Sequence, residues 1–220
     1  MIPPQRNSEF VARMEKVLDV YMRPYDSRFP VVCMDESPRQ LIGEVKAPIA
    51  ASPGRGQRHD YEYKRLGTCN VFMANEPLAG KRRVEVTERK TKTDWALFAK
   101  SISEDYPEAE KITLVMDNFA THNASAFYEA FEPEQAKRLW DRFDFVFTPK
   151  HGSWLNMAEI ELNVLIGQCL NRRIARLETV RSEVQAWQKQ RDSLKASINW
   201  RVTNEEARIK LKRLYLTFYE

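Results

Sequence analysis

Apolar side chains recur at helical spacing near the start of the chain, at Phe10, Met14, Val17, Leu18 and Tyr21. This predicts a short helix that Ser8 can cap. Residues 23–30 carry Pro24 and Pro30 and read as a linker. The period then changes. Val31-Val-Cys-Met is a short apolar run rich in β-branched residues, which predicts a buried strand and opens the body of the chain. Residues 48–60 read as a long loop. Strands are predicted near 67–74 and 82–88, joined by a turn over Glu76-Pro-Leu-Ala-Gly80. Thr93 can cap a helix to about 105 that offers Trp95, Leu97, Phe98 and Ile102 for burial. Lys111–Met116 predicts a strand, 122–131 and 133–142 helices, and Phe143–Phe147 a last strand. Helices follow over 155–170, 178–196 and 204–215. Three consecutive strands ahead of alternating elements predict an α/β fold. Its mixed sheet would carry an antiparallel meander on one side and helices on both faces.

Composition narrows the class. With 43% hydrophobic and 30% charged residues, the 220-residue chain fits a globular protein with a sizeable core, not a disordered one. No run reaches the roughly 18 apolar residues of a membrane span, and the first residues lack the apolar core of a signal peptide. Cys33, Cys69 and Cys169 are far apart, which argues against a disulfide framework or zinc site and for a reducing cytoplasm. The net charge of +4 is unevenly spread. Residues 171–220 hold 12 Lys/Arg against 6 Asp/Glu, and residues 79–92 hold 6 against 2, so the remainder is net acidic. Basic segments beside an acidic remainder point to a polyanion partner and an acidic site, or to ordinary solvated surface.

Two apolar runs end in aspartate: Val31–Met34 before Asp35-Glu36, and Ile112–Met116 before Asp117-Asn118. Ligand sites in mixed α/β sheets lie beyond the carboxyl ends of strands. Two Asp on neighbouring strands repel unless a cation lies between them, and hard carboxylate oxygens suit Mg²⁺ or Mn²⁺. Each Asp alone could equally end a strand or cap a turn. A third acid, Glu159, falls on the apolar stripe Leu155, Ala158, Leu162, Leu165, Ile166 and Cys169. Glu161 lies about 200° around the helix, toward the expected polar side near Gln168. A charge facing the core needs a partner, which a metal shared with Asp35 and Asp117 would supply. The other reading is a capping box formed by Asn156 and Glu159.

Around these acids, Glu36 and Asn118 suit hydrogen-bonding support of the metal ligands. His122 could reach a ligand or phosphate, or lie on the surface. Lys150, His151 and Ser153 could hold a phosphate. Trp154 could stack on a base or plug the core. Lys81-Arg82-Arg83 and Lys210, Lys212 and Arg213 are candidates for DNA backbone, or solvated faces. No Gly-rich phosphate loop, G-x-S-x-G elbow or H-E-x-x-H motif is present.

In order, Val-Cys-Met-Asp35-Glu, Leu-Val-Met-Asp117-Asn-Phe-Ala-Thr-His122 and Thr-Pro-Lys-His-Gly-Ser-Trp-Leu-Asn156-Met-Ala-Glu159 resemble the DDE domain of bacterial insertion-sequence transposases related to the mariner superfamily. The resemblance covers about 31–215. It implies a ribonuclease-H-like mixed five-stranded sheet flanked by helices, with extra C-terminal helices. The implied arrangement is a lead-in helix and linker over 1–30 and a catalytic domain over 31–220. In the family, the acids matching Asp35, Asp117 and Glu159 hold two Mg²⁺ ions, with Mn²⁺ as a substitute, for DNA strand cleavage and transfer. Asp35 would bridge the two ions. The implied partners are double-stranded DNA at transposon ends and targets, and a second copy in a homodimer. The implied setting is the bacterial cytoplasm, in association with the nucleoid. The interval from Asp117 to Glu159 is 42 positions, longer than usual among mariner relatives, and the extra length is expected in 131–142. Thirty residues cannot hold the family's helix-turn-helix reader, so the expectation is either a catalytic-domain fragment or the second product of a split or frameshifted reading frame, the latter with a separately encoded N-terminal partner. The rival functions are another ribonuclease-H-like nuclease, or a non-catalytic DNA-binding remnant.

Overall fold

The computed structural model describes residues 7–117 and 122–216. Helix α1 (Ser8–Tyr21) is followed by three long strands, β1 (Val31–Glu44), β2 (Tyr63–Glu76) and β3 (Lys81–Thr87). Next come α2 (Lys92–Glu104), β4 (Ile112–Met116), α3 (Ala124–Ala130), α4 (Pro133–Asp141) and β5 (Phe143–Phe147). Three further helices close the described chain: α5 (Met157–Leu165), which runs on as a π-helical turn over Ile166–Leu170, α6 (Leu177–Ser193) and α7 (Asn204–Lys210).

The five strands form one mixed sheet in the order β3-β2-β1-β4-β5. β1, β2 and β3 are the antiparallel meander, and β4 and β5 extend it in parallel with β1. Each face buries its own core. On one side α1, α5, α6 and α7 cover Cys33, Val71, Met73, Val84, Val115 and Val146. On the other, α2, α3 and α4 cover Val32, Met34, Phe72, Leu114 and Met116. These sets alternate along β1, β2 and β4, as the two-residue period of a sheet buried on both faces requires.

Three local expectations change. β1 does not stop at Met34. Its polar stretch from Asp35 to Gln40 hides a strand that pairs with β2 as far as Glu44. Only its parallel pairing with β4 ends early, at Cys33 opposite Val115. Helix caps shift by a residue or two: Asn7 caps α1, and Thr91 caps α2 in a reciprocal box with Asp94. The lead-in helix packs fully into the first core, with Phe10, Met14, Val17, Leu18, Val20 and Tyr21 buried. Helix α4 occupies the expected extra length between α3 and β5. Among the described residues, no helix is long and apolar enough to cross a membrane.

Candidate active site

The parallel ladder fixes where the first two acids lie. Cys33 pairs with Val115, two residues before Asp35 and Asp117 respectively, and Asp35 lies on the face of β1 that α5 covers. Asp35 lies where β1 has lost its β4 partner but keeps Met73 of β2 opposite. Its carboxyl accepts the Glu36 amide at 2.8 Å. Burial, together with the charges of Glu36, Asp117 and Glu159, pushes the Asp35 carboxyl up to about 7. Asp35 therefore lies in the field of both other acids of the expected set.

Glu159 reaches this place through a tightly built loop. Thr148 N donates to Met116 O at 2.9 Å, and Gly152 N turns back to Pro149 O at 2.8 Å. A β-carbon on Gly152 would lie 2.5 Å from the Pro149 ring, so this turn requires glycine. Asn156 then caps α5, its side-chain oxygen accepting from Ala158 N at 3.1 Å. Its amide donates to Met34 O at 2.8 Å, so the residue that starts the helix grips the residue before Asp35. The cap bonds to the second helical amide, and Glu159 lies half-buried in the first turn. The positive end of the helix dipole favours a carboxylate there.

The expected placement of Glu161 is overturned. It is wholly buried beside Ala158, Leu162 and Leu165, and Glu159 lies at the flank of that stripe. Arg82 Nε donates to Glu161 Oε2 at 2.7 Å, and Arg191 Nε and Nη2 donate to its two oxygens at 2.9 Å each. Burial raises the Glu161 carboxyl, but the two guanidiniums overcome that and hold it below the usual range. A core glutamate needs neutralisation, and here arginines supply it instead of a metal.

Arg82 is accordingly not a DNA-backbone residue. Its side chain is 1% exposed and also bonds Asp192 and the carbonyls of Gly80 and Ala196. Arg83 pairs with Asp105 and Glu85, and Lys81 lies over the Tyr106 ring. Lys210, Lys212 and Arg213 are exposed but lie beside the start of α1, where Asn7 N donates to Leu214 O at 3.3 Å. That is the far end of a helix about 20 Å long from Tyr21, which contacts the acid-bearing elements. Lys150, His151, Ser153 and Trp154 are exposed on the loop before α5.

His122 is buried, not on the surface. Its Nδ1 lies 2.8 Å from Asp117 Oδ1, its Nε2 3.4 Å from Glu36 Oε2, and its ring stacks on Trp95 at 5.2 Å. Burial would lower its pKa, but Asp117 and Glu36 outweigh that and push it up to about 9. Glu36, which burial alone would raise, is held below its usual range by His122 and by Lys90. Glu36, Asp117 and His122 are the one group of three such side chains among the described residues whose ligand atoms lie within 4.8 Å of one another. His122 lies between the two carboxylates, which favour its charged form. Asn118 lies outside the described residues. Sequence reasoning missed Lys90: the basic run 79–92 contained it, but only the fold brings it to Glu36.

The donor set suits a hard divalent cation: acidic oxygens from the middle of β1, from the residue after β4 and from a helix start, the first of them raised by burial and by its neighbours. Comparison with known proteins agrees. The DDE superfamily endonuclease family matches residues 30–181. The Mos1 mariner paired-end complex with Mn is similar over 89% of this chain and 60% of its own, at 14% identity and a TM-score of 0.56. The Mos1 paired-end complex with Mg gives 0.57 at 15% identity, covering 99% of this chain and 66% of its own. The Mos1 strand transfer complex gives 0.59 at 13% identity, covering 89% and 59%. The chain thus spans about three-fifths of the length of these structures. No curated protein matches it. With the sheet order β3-β2-β1-β4-β5, helices on both faces and the motif acids at one end of the sheet, the chain belongs to the DDE superfamily endonuclease family and has its ribonuclease-H-like fold.

Proposed function

We propose that this chain is the catalytic domain of a transposase, cutting and joining DNA strands at the ends of a bacterial insertion sequence. Residues 31–220 would carry the catalytic machinery, with α1 of the preceding segment packed into the same core. The observation that carries the reading is the family match over residues 30–181, and the charges of Asp117 and Glu159 that reach Asp35 support it. Asp35, Asp117 and Glu159 would hold two Mg²⁺ ions, replaceable by Mn²⁺. Bound there, the cations would supply Lewis-acid polarisation of the scissile phosphate and a more acidic attacking hydroxyl.

The remaining residues of the site have separable tasks. Asn156 holds the start of α5 against Met34 and so sets the spacing between Asp35 and Glu159. His122 keeps one oxygen of Asp117 engaged and neutralises Glu36. Lys150, His151 and Ser153 would hold backbone phosphates entering the site, and Trp154, 37% exposed, would stack on a base. The partners are double-stranded DNA, a second copy of the chain and a helix-turn-helix reader of the end sequence; the Mos1 structures it resembles are paired-end complexes. The setting is the cytoplasm, on the nucleoid.

The test is cleavage of end-bearing duplex DNA by wild type, Asp35→Asn, Asp117→Asn and Glu159→Gln, with Mg²⁺ and with that reader supplied. Loss of cleavage in all three, with unchanged far-ultraviolet circular dichroism, supports the reading. Full activity in any one overturns it. Cutting of generic RNA–DNA hybrids without joining would instead assign another ribonuclease-H-like nuclease.

A further inference from the structure

We propose that Tyr21, on the helix preceding the family-matched segment, is a positioning residue for the acid centre; the inference rests on the function proposed above. A phenol has one proton to give and two lone pairs to fill. All three are engaged here. Tyr21 Oη donates to Leu155 O at 2.7 Å, and accepts from Met157 N at 3.4 Å and from Cys33 Sγ at 3.5 Å.

The partners explain the role. Cys33 lies two residues before Asp35 on the same face of β1. Leu155 and Met157 flank the capping Asn156, and Met157 lies two residues before Glu159. One buried hydroxyl therefore ties the strand that carries the first acid to the turn that launches the third. The Asn156 to Met34 bond is a second strap across the same gap, 2.8 Å long. The Tyr21 ring is held in turn by Trp200, at 5.4 Å. Burial raises the phenol well above its ordinary value, so it stays a donor throughout the working range. Phenylalanine would keep the ring packing and remove all three bonds, leaving the helix start to shift against β1.

The test compares full-chain wild type, Tyr21→Phe and Asp35→Asn, with Mn²⁺ alone as the probe. Free Mn²⁺ is followed by electron paramagnetic resonance, and amide exchange is measured at 33–37 and 155–159. Tyr21→Phe is expected to melt close to wild type and to bind Mn²⁺ about tenfold more weakly, as loss of a bond supporting a metal ligand does. Exchange should quicken at both segments and nowhere else. Unchanged Mn²⁺ affinity with unchanged exchange at both segments overturns the inference. So does a large fall in melting temperature with exchange quickened throughout, the mark of a packing role alone. Equal Mn²⁺ binding by wild type and Asp35→Asn counts against the acid centre itself. Exchange then decides Tyr21 separately: quickening at both segments keeps the strap, and no change removes it.

Discussion

Replacing Arg82 by Met separates a structural arginine from a DNA contact. Arg82 joins Glu161 and Asp192 while its side chain is 1% exposed and that of Glu161 is fully buried. Removing one partner of a buried ion pair costs about 3–5 kcal/mol, because a charge is left in the core. Arg191 still holds Glu161 with two bonds, so the cost should lie near the lower end. For a chain of this size, about 3 kcal/mol corresponds to a fall of roughly 6–12 °C in melting temperature. Circular dichroism melts at low and high salt would read it, and the fall should persist at high salt because buried pairs are weakly screened. Lys81→Met, one residue away and exposed, is the control and should change stability by less than about 0.5 kcal/mol. DNA affinity of Arg82→Met, measured well below the melt, should match wild type. Normal melting with weakened DNA binding would refute the reasoning.

Other expectations follow from the same geometry. The folded Asp35 carboxyl is raised to about 7, above its unfolded value, so its ionisation lowers stability as pH rises toward 7. Asp35→Asn should therefore melt higher than wild type at pH 8, and the gap should close toward pH 4; a lower melting temperature at pH 8 would contradict this. A cation must displace that proton, so Mn²⁺ affinity titrated by calorimetry should rise with pH up to about 7 and then level off. His122 is raised to about 9, so its stabilising charge is fully present below the unfolded value and lost as pH passes about 9. His122→Gln should therefore be destabilised most at pH 6, with the deficit shrinking by pH 10 in thermal melts. Gly80 has φ +64° and a β-carbon there would lie 2.7 Å from the Lys195 backbone; Gly80→Ala should cost about 1–3 kcal/mol by urea unfolding.

Much of this architecture is legible in residue order. A β-branched run marks β4 and an aromatic one closed by Thr148-Pro149 marks β5, and 3.6-residue spacing marks α1, α2 and α6, because burial dictates both periods. What is not legible depends on partners distant in sequence. The polar half of β1 is a strand because β2 lies beside it, and no pattern within 35–40 says so. Glu161 reads as the outward acid and Arg82 as a DNA contact until folding brings them together from 79 residues apart. Asp35 and Asp117 stand out because each ends an apolar run, a local signal; Glu159 is marked only by its place three residues after Asn156, since the buried stripe of α5 carries Glu161 instead. Tyr21 does not stand out, since an aromatic on a helical stripe looks like any core residue. His122 is ambiguous in the sequence for a related reason: one carboxylate partner comes from β1 and the other from the residue after β4.

The split between motif and packing has a consequence for how such a unit can be cut and exchanged. The family match begins at residue 30, but the hydrophobic cluster begins at Phe10. A fragment trimmed to the motif boundary would lay bare the apolar floor under α1 and lose the hydroxyl at the base of α5. Grafts between related chains should therefore exchange α1 together with β1 and the 155–159 turn. The 155–159 turn is far from α1 and β1 in sequence, but the three are tied together by the Tyr21 hydroxyl and the Asn156 amide.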